Sequence, residues 1–94
     1  MKSEYQQIII FKLRKLRQDN GYSQQQLGAV LGLSNGQIGN IESPHRPHKY
    51  TLSQINALCN VFKIRIEQIF LDEDDFNSGN IIDTLIEKII IYGE

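Results

Sequence analysis

Ninety-four residues with 40% hydrophobic content give this chain room for one small folded domain and a short appendage, and exclude an intrinsically disordered chain. A single cysteine, Cys59, excludes an internal disulfide framework, and no apolar run approaches the roughly 20 residues needed to cross a bilayer. The net charge of −1 hides an asymmetry: residues 1–65 carry nine Lys and Arg against three acids, while residues 66–94 carry only Lys88 against eight, a basic body with an acidic appendage.

The first helix is expected from Ser3 or Glu4 to about Asn20. Tyr5, Ile9, Leu13 and Leu16 recur along it at spacings of three and four, the signature of one buried helical face. Ile8, Ile10 and Phe11 make that stripe unusually broad, enough to bury surface elsewhere, for example in a dimer. This start lacks the apolar stretch and small-residue cleavage site of a secretory signal, so a cytoplasmic location is expected. Asn20-Gly21 supplies the stop. Ser23 opens a second helix with Gln26 at the reciprocal capping position, and Leu27, Val30 and Leu31 form its inward face. Gly32 ends it. Ser34 caps a third helix from Asn35 to about Ser43, with Ile38 and Ile41 inward, and Pro44 and Pro47 bracket a loop running to Lys49.

A fourth helix, capped by Thr51 or Ser53, turns Ile55, Leu58, Val61 and Phe62 to the core, and Ile66–Phe70 adds one or two turns more. Residues 1–70 therefore read as an all-α body of five short helices, residues 71–80 as an acidic, polar linker, and residues 81–94 as a C-terminal interaction helix. In that last segment Ile81, Ile82, Leu85, Ile86, Ile89 and Ile90 share one helical face, with Asn80 placed to cap its start. Its abundance of β-branched Ile keeps a strand open as the alternative. Such a stripe is too apolar to leave bare. Its covers are the chain's own domain, another protein, or a second copy meeting it through Ile82, Leu85, Ile86 and Ile89.

The most specific signal lies between Ser23 and Ser43. Two short helices crossing steeply around a tight turn need a small residue where they touch and a residue tolerant of positive φ in the turn. Gly28 and Gly32 stand in those places, and Leu27, Leu31, Leu33, Ile38 and Ile41 knit the pair from inside. Such a pair can lay its second helix in a major groove about 12 Å wide. Glycines at 36 and 39 cost that helix up to about 1 kcal/mol each relative to Ala, and let its backbone come close to a surface.

Leu-Arg-Lys-Leu-Arg17, Gly-Tyr-Ser-Gln-Gln-Gln-Leu27, Ile-Gly-Asn-Ile-Glu42 and the stretch from Leu58 to Phe70 follow one another in order. From about Leu13 to Phe70 the chain thus resembles the Cro/phage-repressor (xenobiotic-response-element) type of helix-turn-helix protein. The resemblance implies a lambda-repressor-like five-helix domain, here with an additional C-terminal helix. It implies a sequence-specific transcriptional regulator, a repressor, that reads a palindromic operator in double-stranded DNA as a homodimer. It implies that Gln24 touches a phosphate and that Asn35, Gly36 and Asn40 read base edges, with Gln37 beside them reaching a phosphate or flanking base. Ser43, Arg46 and Lys49 would clamp the DNA backbone, and Arg17 and Glu42 would form a structural ion pair. One departure concerns the glycine often found after the family's Glu, which is here Ser43-Pro44 followed by a longer loop. An antitoxin using the same domain, with its tail on a toxin protein, is the alternative function.

His45, His48 and Cys59 lack the Cys-x-x-Cys partner of a zinc site, so no metal is expected. No nucleophile, base and orienting group line up and no glycine-rich phosphate loop occurs, so neither a cofactor nor enzymatic activity is expected.

Overall fold

A computed structural model describes residues 1–94. The chain is all α-helix and turn: α1 (Glu4–Asp19), α2 (Gln24–Leu31), α3 (Asn35–Glu42), α4 (Leu52–Phe62), α5 (Ile66–Phe70), α6 (Glu73–Phe76) and α7 (Ile81–Gly93). Four of these helices start on the same local device. Ser3, Ser23, Ser34 and Thr51 each accept a hydrogen bond from the backbone N–H three residues on, where a glutamine returns the favour to the cap's own N–H. Each pair satisfies two backbone donors that a helix start otherwise leaves orphaned.

The C-terminal ends are closed differently. Gly32 takes the left-handed conformation after α2 (φ 70°), and Lys63 does so after α4 (φ 56°). Helices α3, α5 and α7 carry no basic residue in their last turns. Lysines from elsewhere reach those ends instead: Lys2 Nζ donates to Ile41 O, Lys12 Nζ to Ile69 O, and Lys49 Nζ to Tyr92 O and Gly93 O. A cation at a helix C-terminus meets both unpaired carbonyls and the negative end of the dipole.

The core draws on every long element. Ile9, Ile10 and Leu13 of α1 meet Leu27, Ile38, Ile41, Tyr50, Ile55, Leu58, Cys59, Ile69, Phe70 and Tyr92. Tyr92, from α7, sets its ring edge-on to Phe70 at 5.7 Å, and its hydroxyl donates to Tyr50 O at 2.8 Å. Gln6 Nε2 donates to Tyr92 O at 2.7 Å, so α1 and α7 are tied by a bond as well as by packing.

Several expectations shift here. Val30 is exposed, leaving Leu27 and Leu31 to hold α2 inward, because the short helix turns only a narrow strip to the core. The linker at 71–80 is shorter than it reads: Leu71 is buried, and Asp72 and Asp75 cap each other's backbone N–H groups to start α6. The bond that the Asp72 carboxyl accepts from Asp75 N–H also holds it below its ordinary range. The tail is a helix, not a strand. Asn80 does not cap it by side chain, since its amide donates to Asp83 Oδ2 at 2.8 Å. The apolar face of α7 is divided: Leu85, Ile89 and Tyr92 pack on the core, while Ile82, Ile86 and Ile90 stay 71%, 51% and 58% exposed.

Candidate nucleic-acid interface

The α2–α3 pair is built around one close approach. Leu33 N donates to Gly28 O at 2.8 Å, and a Cβ at position 28 would stand 2.3 Å from Leu33 O. Glycine is required there by backbone contact, not by dihedral freedom. Gly32, with φ 70°, then turns the chain so that Ser34 can start α3.

A buried carboxylate fixes how this pair sits on α1. Arg17 Nε and Nη2 donate to Glu42 Oε2 and Oε1 at 2.7 and 2.9 Å, a two-point contact between side chains only 9% and 4% exposed. Arg17 Nη1 also donates to Tyr22 O at 2.8 Å. The hydrogen bond that Arg17 donates to Glu42, against the opposing cost of burial, holds the guanidinium above the usual arginine pKa. Gln24 Nε2 adds a third donor to Glu42 Oε1 at 3.1 Å, and the half-exposed Arg14 stands 3.9 Å away. One acid therefore ties α1, α2 and α3 together.

On α3, Ile38 and Ile41 are buried, and Gly36, Asn40 and Ser43 succeed one another at spacings of four and three on the opposite face. Asn35, Gly36 and Gln37 are exposed at the helix start, and Asn40 is half-buried. Of the residues that resemblance gave to base edges, Gly36 and Asn40 share the outward face, and Asn35 stands exposed at the helix start. Gln37 is partly committed, as its Oε1 accepts from Ser34 N–H at 2.8 Å.

The phosphate set is more scattered. The Gln24 side chain is occupied by Glu42 and lies against Gly39, so what remains open at the start of α2 is the helix end itself. Ser43 Oγ accepts from His45 N–H at 3.3 Å, and Arg46 projects exposed from the loop. Lys49 is drawn away to α7, with Nζ 3.1 Å from Tyr92 O, 3.3 Å from Gly93 O and 5.5 Å above the Tyr92 ring. Its ammonium is used on the protein's own carbonyls because α7 lacks a cation of its own at that end.

Sequence reasoning passed over Lys2. It is 6% exposed, and its Nζ donates to Ile41 O, Ser43 O and His48 O at 2.6, 2.7 and 2.9 Å. Burial pulls its pKa below the ordinary lysine value, and the three carbonyls make that burial tolerable by using every N–H of the ammonium. No group of three or more His, Cys, Asp or Glu side chains comes together as a metal site, and no helix is long and apolar enough to cross a membrane.

A sequence model of the Cro/C1-type HTH DNA-binding domain matches residues 12–75, from mid-α1 through most of α6 and across the whole α2–α3 pair. No curated protein sequence and no solved structure matches the chain. The match covers well over half of the molecule and centres on the Gly28 contact, the Gly32 turn and the outward face of α3, so this chain belongs to the Cro/C1-type helix-turn-helix DNA-binding family.

Proposed function

We propose that this DNA-binding regulator is a repressor that reads a palindromic operator as a homodimer, with α3 in the major groove. The outward face of α3 carries the reading: Gly36 and Asn40 lie along it and Asn35 stands exposed at its start, on a helix whose other side is fixed by Ile38 and Ile41. An asparagine amide pairs bidentately with adenine N6 and N7, worth about 1–3 kcal/mol of discrimination. Glycine at 36 and 39 lets the helix backbone lie close to the bases, at the expense of side chains that would read them. Arg46 and the backbone N–H groups at the start of α2 supply phosphate contacts, which set register without choosing sequence.

Dimerisation is assigned to the open half of α7. Ile82, Ile86 and Ile90 repeat every four residues along the exposed side of α7, which also bears Asp83 and Glu87. An antiparallel pair would set Ile86 on its counterpart and Ile82 on the partner's Ile90. Two α3 helices would then read half-sites about one helical turn, roughly 34 Å, apart.

Selection of tight binders from random duplexes at two salt concentrations tests the reading. Recovery of a palindrome is expected. In the selected site, Asn35→Ala should relax the base preference at one position per half-site. Sedimentation of wild type and Ile86→Glu tests the dimer, the variant being expected to sediment as a folded monomer. A wild-type monomer at tens of micromolar would refute the α7 seam and turn the open stripe toward a different protein, as in an antitoxin.

A further inference from the structure

We propose that Lys2 is a positioning residue for DNA recognition, an internal cation that fixes the C-terminal turn of the recognition helix without touching DNA. The inference rests on the reading of α3 as that helix. Its starting point is a carbonyl that the backbone cannot satisfy. Ile41 O would ordinarily accept from the N–H three or four residues on, at position 44 or 45. Pro44 has no N–H, and the His45 N–H turns to Ser43 Oγ at 3.3 Å. The departure from a glycine cap to Ser43-Pro44 therefore leaves the end of α3 without the left-handed closure that would satisfy it, Ser43 being extended at φ −75°, ψ 127°.

Lys2 satisfies the Ile41 carbonyl from 39 positions away in the chain. Its Nζ lies 2.6 Å from Ile41 O and 2.7 Å from Ser43 O, and its third bond, 2.9 Å to His48 O, ties down the loop that follows. The turn so held contains Asn40 and Ser43, which lie on the outward face of α3. With Gly36 and Gly39 in the same eight-residue helix, α3 has little propensity of its own to keep that turn closed. Lys2 lies before residue 12, outside the region matched to the family.

The distinguishing quantity is the salt dependence. A lysine that neutralises a phosphate releases counterions, and its removal takes about one from the slope of log K against log salt concentration. Removal of an internal cation leaves that slope alone. In Lys2→Met, affinity for the selected operator should fall about tenfold, with slope and non-specific affinity unchanged and with amide exchange accelerated in α3 but not in α4. A slope lowered by about one, or an affinity equal to wild type, overturns the proposal. Should the variant not fold, the wild type decides: a buried, triply bonded Lys2 ammonium gives a ¹H–¹⁵N correlation at neutral pH, and its absence refutes the anchor. Failure of the wild type to bind any duplex would instead sink the DNA reading. The exchange rates in α3 and the ammonium signal would still judge Lys2.

Discussion

Gly28→Ala and Gly36→Ala offer a paired test of how the helix-turn-helix is assembled. Both glycines lie inside helices, where alanine is favoured by about 1 kcal/mol on propensity alone. Their surroundings differ. At position 36 a Cβ meets only Ser34 Oγ at 3.8 Å, an ordinary contact, whereas at position 28 it would lie 2.3 Å from Leu33 O and 3.2 Å from Leu33 C. Relief at position 28 demands a backbone shift at Leu33, and with it loss of the 2.8 Å bond from Leu33 N to Gly28 O. Overpacking costs about 1–3 kcal/mol and the lost hydrogen bond about 1, so after the propensity gain Gly28→Ala should destabilise by about 2 kcal/mol. Gly36→Ala should stabilise by up to about 1 kcal/mol. Urea unfolding followed by circular dichroism at 222 nm reads both, and with a slope of about 1–2 kcal/mol per molar the midpoints should move in opposite directions by roughly 1 M. A Gly28→Ala protein as stable as wild type would refute the close approach of α2 to the turn. Gly36→Ala should meanwhile bind operator less well despite its greater stability, since the added methyl occupies the face assigned to the bases.

Glu42→Ala leaves Arg17 buried without its carboxylate and should cost about 3–5 kcal/mol in urea unfolding; a loss under 1 would contradict the buried pair. Tyr50 is 1% exposed and its hydroxyl has no hydrogen-bond partner, so Tyr50→Phe should be neutral or stabilising by about 1 kcal/mol, and a clear loss of stability would mean a bonded hydroxyl. The Tyr5 pKa is raised to about 12 by burial and then by the charges of Asp75 and Asp72. A raised phenol stabilises the fold below its unfolded pKa, and that contribution is lost as pH climbs from about 10 to about 12. The urea midpoint should fall across that window, and less steeply in Tyr5→Phe; identical profiles would argue against the effect. Lys49→Met should lower the midpoint by unpinning α7 while leaving the salt slope of DNA binding unchanged, and a slope reduced by about one would return Lys49 to the phosphates.

The helix-turn-helix was legible in the sequence because its determinants are local. Ser23 with Gln26, the glycines at 28 and 32, and the inward leucines and isoleucines fall within two dozen residues, at spacings that few other structures require. The starts of α1 and α4, left open between Ser3 and Glu4 and between Thr51 and Ser53, fall at a Ser and a Thr three residues before a glutamine. The fate of the lysines was not. Lys2, Lys12 and Lys49 look like solvated charge, and nothing near them in sequence marks the helix ends they reach, which lie 39, 57 and 43 positions away. The α7 stripe was legible as apolar but not as divided. Periodicity assigns residues to a face without saying how wide the supporting surface is, and here α1 and α5 cover only the side bearing Leu85, Ile89 and Tyr92. Helix α6 was missed because a run of acids suggests solvent, although two of those acids cap its start.

Tyr92 joins parts of the chain that are far apart in sequence. The α2–α3 turn closes over a few residues, but the bond from Gln6 to Tyr92 spans 86 positions and that from Tyr92 to Tyr50 spans 42. Long closures are formed late, because the entropy of bringing the ends together must be met before their contacts reward it. The helix-turn-helix needs only local closures, whereas the clasp of Tyr92 bonds must bring both ends of the chain to the loop that follows α3. During synthesis that clasp cannot close until Tyr92 has left the ribosome. A nascent chain carries the helix-turn-helix before it carries the fastening that sets its final pose.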